Sequence, residues 1–455
     1  MPIINYELKP TDENIRKTLI NNTSGRNEAI ANFIMLLDNI ESNTVIALDD
    51  AWGNGKTFFI KQLQMVLQSY NEKSEADIKN IITRYIGEHE IGNYIAIYYD
   101  AWTNDSDNDP ILSIVYNLLQ SVSELSSYYV SDSEWWKRFR SAFELVVQAV
   151  SGLDLKVFLD TLEGDDPLNE LKKHKRNEHM LNSIFDAILE KQPNNTRIIF
   201  LVDELDRCKP DFAVKVLERI KHYFGHDKVI FIISVNSLEL QHTIKKHYGN
   251  DFDASKYLNR FFDFSISMPS LDMNEFYSSL KFLSNARFRD YTVKTAIDMY
   301  KFSMRDITRY LQTLRTIIPD IYREHDKDLG FYFEVLIPFM VGLKMYDINL
   351  YEEFIRGRNS EPFIKFAMYG GPDRYCHIFL SQGESFSDSN GDMVKVSLKE
   401  RFDELYKFLF TAQQQKFENT YGITIGDVKF TTRWKDKIMC VMNFMEAMKN
   451  LNVKF

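Results

Sequence analysis

Residues 44–63, TVIALDDAWGNGKTFFIKQL, constrain the chain more than any other stretch. An apolar run from Thr44 feeds a loop ending Gly53-Asn54-Gly55-Lys56-Thr57. Helical periodicity follows through Phe59, Ile60, Leu63, Val66 and Leu67. A strand, a glycine-bearing loop and a helix in that order cradle phosphate. Successive backbone N–H groups and the helix N-terminus surround the anion, and glycine lets the backbone approach without a Cβ. On this pattern residues Trp52, Gly53, Asn54, Gly55, Lys56, Thr57 and Phe58 line the phosphates of ATP. Lys56 reaches the β- and γ-phosphates, and Thr57 places its hydroxyl on Mg²⁺. Asp50 stands where the pattern has its first glycine. An anionic side chain beside phosphate is costly unless it turns outward, so Asp50 separates two function classes: an active hydrolase, and a nucleotide-gated scaffold that binds ATP and hardly turns it over.

A second stretch reinforces the first. Arg197 to Val202 is an apolar strand that stops at two adjacent carboxylates, Asp203 and Glu204, the Walker B arrangement. Asp203 is the candidate for the Mg²⁺ shell and Glu204 for the general base that polarises the attacking water. Residues 228–235 form a third apolar strand ending at Asn236. Where the two nucleotide strands are separated by another strand, that polar tip orients the water or the γ-phosphate; an ordinary helix cap is the alternative.

The remaining pattern organises around these strands. Residues 25–40 carry apolar positions at helical spacing, and Arg26 follows the turn that precedes them. Residues 93–99, NYIAIYY, read as a buried strand. A helical insertion over about 103–180 contains Trp135-Trp136 and the basic run Lys172–Arg176, and an amphipathic helix covers 177–190. A last strand, Phe261–Met268, follows Arg260, which is a candidate for contacting phosphate from the same or a neighbouring subunit, or is a surface arginine. Arg305 and Arg309, four apart on a helix, share one face and are lid candidates, with a salt-bridged helix face as the alternative. These readings divide the chain into an α/β core at 1–270, a helical lid at 271–325 and a mostly helical region at 326–455. A methionine stripe marks a terminal helix over Trp434–Leu451.

Composition excludes several functions. A net charge of −10 argues against a broad nucleic-acid surface, which needs clustered Lys and Arg, although a local basic groove is compatible with it. Three cysteines without CxxC spacing point to no oxidising compartment. No run reaches the length of a membrane span, and the N-terminus lacks the order of a secretion signal, so a cytoplasmic location is expected.

The combined order of motifs resembles the KAP family of P-loop NTPases, within the additional-strand ATPases. Four segments carry the resemblance: Trp52-Gly53-Asn54-Gly55-Lys56-Thr57, Asp100-Ala101-Trp102, Asp203-Glu204-Leu205-Asp206-Arg207-Cys208 and Tyr257-Leu258-Asn259-Arg260-Phe261. The resemblance implies an α/β P-loop NTPase core with a parallel sheet flanked by helices. It implies Asp203 as the Mg²⁺ carboxylate, Glu204 as the base and Arg260 as the signature basic residue. It also implies hydrolysis coupled to a conformational or assembly change. Many members carry membrane helices between the two nucleotide motifs; this chain has an insertion there without a span, which places it with the soluble branch. Bacterial members often act against phages or plasmids, and a protein partner or a homo-oligomer is expected.

Overall fold

The computed structural model describes residues 9–70, 76–87, 89–107, 110–126, 181–190, 192–279, 288–317, 331–369, 386–387, 393–394, 398–411, 422–425 and 428–431. Two compact units divide between Phe276 and Tyr277. The Trp135-Trp136 pair, the Lys172–Arg176 run and the Trp434–Leu451 segment lie outside the described residues.

In the first unit the apolar runs form β1 (Thr44–Asp49), β2 (Tyr94–Asp100), β3 (Arg197–Asp203), β4 (Val229–Val235) and β5 (Phe264–Ser267). They pair in the order β2-β3-β4-β1-β5, and every pairing is parallel. Strand β4 therefore stands between β1 and β3, as the additional-strand arrangement requires. Its seven residues are all buried, as expected for a parallel sheet covered on both faces.

Alternate side chains supply two separate cores. Val45, Ala47, Ile198, Phe200, Phe231 and Ile233 face one layer, and Ile46, Leu48, Ile199, Leu201, Ile230 and Ile232 face the other. Helices α1 (Asp12–Ile20), α2 (Asn27–Asp38), α3 (Lys56–Gln68) and α4 (Ala76–Ile86) bury their apolar stripes on the second face. The first face is covered by α5 (Pro110–Ser126), α6 (181–189), α7 (Pro210–Tyr223), α8 (Ser237–Tyr248) and α9 (Ala254–Leu258). There Phe200 stacks on Phe231 with ring centroids 4.7 Å apart, and Phe224 meets both edge-on. Such contacts add to the burial of large apolar side chains, the main stabilising term.

Strand β5 is shorter than the expected Phe261–Met268. Asp263 interrupts it: its N–H donates to Val45 O at 2.8 Å, and its carboxylate accepts the Val45 N–H at 2.9 Å. That arrangement closes the start of the β1–β5 ladder with a side chain.

The described residues of the second unit are mostly helical, with helices Phe288–Tyr300, Met304–Ile317, Ile337–Tyr346, Ile348–Ile355, Glu361–Met368 and Leu398–Phe410 and two short antiparallel ladders. Phe339 centres its core, with the rings of Phe354, Phe363 and Phe366 at 5.0–5.1 Å. Pro338 has no N–H to give to the preceding turn, and the chain widens there into a π turn, Tyr332–Leu336. No helix among the described residues is long and apolar enough to cross a membrane.

Candidate functional site

In an all-parallel sheet the strand C-termini share one edge, and the helices that leave them present their N-termini there. The loop between β1 and α3 emerges at this edge. Gly53 and Gly55 both hold positive φ, 90° and 84°, a region that residues with a Cβ rarely adopt. Gly55 is the residue before α3, so the helix opens directly onto the loop.

Asp50 does not point into the phosphate cradle. Its Oδ1 accepts from Ala51 N at 2.7 Å and from Asn54 Nδ2 at 2.8 Å, bracing the loop from within. Arg26 supports the same loop, donating through Nη1 to Asn54 O at 3.1 Å. Burial lowers the Arg26 guanidinium to about 10, and the charge of Asp50 opposes that fall. Lys56 Nζ donates to Asp50 O at 2.6 Å and Ala51 O at 3.1 Å, lying along its own loop. Burial pulls the Lys56 ammonium down, against the pull of Asp206, Asp50, Asp203 and Glu204.

The carboxylate pair sits at the tip of β3. Asp203 is only 1% exposed; burial drives its carboxyl up, and the Glu204 N–H, 3.0 Å from Asp203 Oδ1, opposes this. Tyr98 OH, from neighbouring β2, donates to Asp203 Oδ2 at 3.3 Å. Glu204 adopts a left-handed backbone, φ 61° and ψ 24°. In a residue with a Cβ such a conformation costs about 1–3 kcal/mol and is concentrated at functional sites. Its Oε1 accepts from Thr57 Oγ1 at 3.4 Å, and its Oε2 is ion-paired with Arg207 Nε. Burial and then the Asp203 charge push Glu204 up to about 7, while Arg207 pulls it down.

Asp206 ties three strand ends together. Its Oδ2 accepts from Trp52 Nε1 at 2.6 Å and from Asn236 N at 2.9 Å. Asn236 also caps α8, its Oδ1 accepting from Glu239 N at 3.4 Å. The loop after β1, the turn after β3 and the tip of β4 are thereby one hydrogen-bonded assembly.

Of the residues singled out in the sequence, Trp52, Gly53, Asn54, Gly55, Lys56, Thr57, Asp203, Glu204 and Asn236 meet at this edge. Phe58 turns its side chain to the core beside α3 and leaves only its backbone N–H at the first turn. Arg260 does not join them, which leaves the neighbouring-subunit and surface alternatives for it. It lies exposed three residues before Asp263, at the end of the sheet where β1 begins. Six residues of β1 put the phosphate loop about 20 Å further along, out of reach of Arg260 in its own chain. Arg305 and Arg309 lie in the second unit, exposed on the helix Met304–Ile317. Arg26, Asp206, Arg207 and Tyr98 are the site residues that sequence reasoning left without a role. An arginine just after a turn and an acidic residue inside the carboxylate motif were the available signals.

Among the described residues no three His, Cys, Asp or Glu side chains group as metal ligands. Mg²⁺ does not demand such a group, since it keeps water and takes one or two protein oxygens beside the phosphates. The Thr57 hydroxyl and a buried carboxylate at Asp203 fit that donor set.

A glycine loop at a helix N-terminus after β1 and a carboxylate pair at the tip of β3, with β4 standing between the two strands, define a P-loop NTPase, a nucleotide-binding class. The sequence pattern of the KAP family P-loop domain matches residues 26–319, and the chain belongs to that family. No curated protein matches the chain at a significant level.

Proposed function

We propose that the chain binds ATP with Mg²⁺ at the C-terminal edge of the sheet and hydrolyses it, coupling turnover to a conformational or assembly change. The observation that carries this is the Glu204 carboxylate facing Thr57 across the site, with Asp203 buried beside it. Lys56 swings from its own loop carbonyls to the β- and γ-phosphates. Amides of residues 53–58 and the α3 N-terminus hold the phosphate oxygens. Asn236 orients the γ-phosphate or water from between the two motifs, and Glu204 accepts the water proton. Thr57 and Asp203 would hold Mg²⁺, which when bound neutralises charge on the phosphoryl oxygens. Arg260 serves only in trans, which requires at least a dimer. The biological setting we infer, from the family's bacterial members, is defence against phages or mobile elements, in the cytoplasm and with a protein partner.

Phosphate release by the wild-type chain, Lys56→Ala and Glu204→Gln tests the reading. Loss of release in both variants, and on chelation of divalent cations, is the expected result; unchanged release in both would sink it.

A second reading rests on Asp50. Its carboxylate holds the loop closed through the Ala51 N–H and Asn54 Nδ2, and Lys56 Nζ is engaged by the carbonyls of the same loop. These bonds favour a nucleotide-gated scaffold with little turnover. Equilibrium ATP binding measured beside turnover separates the two, and fast multiple turnover without a partner counts against the scaffold.

A further inference from the structure

Among the described residues, Arg207 is the cation that ion-pairs with Glu204. Its Nε pairs with Glu204 Oε2 across the short turn Leu205–Arg207. The guanidinium carbon lies 6.0 Å from the Trp52 ring centroid and 5.5 Å from that of Trp102. The two rings come from different loops, those after β1 and β2. Trp52 is fixed by Asp206, and Trp102 follows Ala101, whose N–H extends the β2–β3 ladder by donating to Asp203 O at 3.0 Å. Both rings remain largely exposed, 43% and 52%, so burial of the rings themselves does not account for their placement.

An exposed ion pair between flexible side chains contributes little. This pair differs in two respects. The side chains are 27% and 17% exposed, and the cation is held against two aromatic faces. Glu204 is restrained from the other side by its left-handed backbone. With Oε2 on the guanidinium, Oε1 is the oxygen directed to Thr57.

We propose that Arg207, held by Trp52 and Trp102, is a positioning residue that fixes the Glu204 carboxylate with one oxygen on the guanidinium and the other facing the reaction centre. The inference rests on the reading of this site as an ATP-hydrolysing one. Arginine suits the role where lysine does not, because a planar guanidinium stacks on an aromatic face and still donates in its plane.

The test is single-turnover phosphate release and equilibrium ATP binding on the full-length wild type, Arg207→Gln, Arg207→Lys, Glu204→Gln and the Glu204→Gln/Arg207→Gln double variant. Arg207→Gln is expected to slow release about 10- to 100-fold while ATP affinity stays within about two-fold, with Arg207→Lys recovering part of the rate. In the Glu204→Gln background, Arg207→Gln is expected to add no more than about a two-fold further loss, because its effect passes through Glu204. Three results would overturn the inference: wild-type release by Arg207→Gln, a parallel loss of ATP affinity, or a full penalty persisting in the Glu204→Gln background. A wild-type chain that binds ATP and releases no phosphate removes the hydrolysis reading and this inference together. Wild-type turnover with an insensitive Arg207→Gln removes the inference alone.

Discussion

The two edges of the five-stranded sheet are made from the same strands and perform different physical work. At the C-terminal edge, N–H groups from helix starts and carboxylates from strand ends converge, as in the Asp206 contacts to Trp52 and Asn236. At the N-terminal edge, side-chain donors satisfy carbonyls. Asn43 Nδ2 donates to Phe224 O at 2.7 Å and Val229 O at 2.8 Å, Arg197 Nη1 to Leu37 O at 2.8 Å, and Lys228 Nζ to Asn194 O at 3.0 Å. A cleft of about 700 Å³ opens on that second edge, lined by both acidic and basic groups, Asp38, Glu90, Lys79 and Lys228 among them. Helix direction accounts for the contrast: free N–H groups gather at one edge and invite anions, while free carbonyls gather at the other and recruit Arg, Asn and Lys. The polarity of the helix ends, rather than cavity size, is what supports placing an anion at the C-terminal edge.

Substitutions matched across the two edges can break that comparison. Lys56→Ala is expected to lower turnover about 100- to 1,000-fold, whereas Lys228→Ala changes it less than about two-fold in the same phosphate-release assay. Equal losses would erase the distinction. Asp206→Ala leaves two donors without their acceptor and should cost about 2–3 kcal/mol in denaturant unfolding, against about 1 kcal/mol for Asn43→Ala, whose freed carbonyls can take water. Trp52→Phe removes one donor and keeps the ring beside Arg207, so about 1 kcal/mol is expected from the same unfolding measurement. The smallest effect belongs to Arg260→Ala: ATP affinity of the dilute chain should stay within about two-fold by equilibrium titration, because Arg260 lies at the far edge. If specific activity of the wild type rises with protein concentration and that rise is lost in Arg260→Ala, the arginine acts in trans.

Strands β1 to β4 were legible because a parallel sheet buried on both faces leaves uninterrupted apolar runs, and the loop and carboxylates were legible because each is contiguous in sequence. What escaped depends on separations along the chain. The Asp206 contact to Trp52 joins residues 154 apart, and nothing local in Leu205-Asp206-Arg207 announces it. The position of Arg260 needed the direction of β5, which places the residue before the strand at the edge opposite to the residue after β1. Asp50 illustrates the same dependence on the fold. The missing glycine reads as a defect, and only the closeness of Ala51 N, Asn54 Nδ2 and the buried Arg26 shows the carboxylate serving as an internal brace.

Amide hydrogen exchange with and without ATP and Mg²⁺ tests the central claim most directly, because both edges are observed in one experiment. The account predicts added protection over residues 50–58 and 203–208, with no change over residues 79–92 and 194–197. Protection confined to residues 79–92 and 194–197 would contradict it.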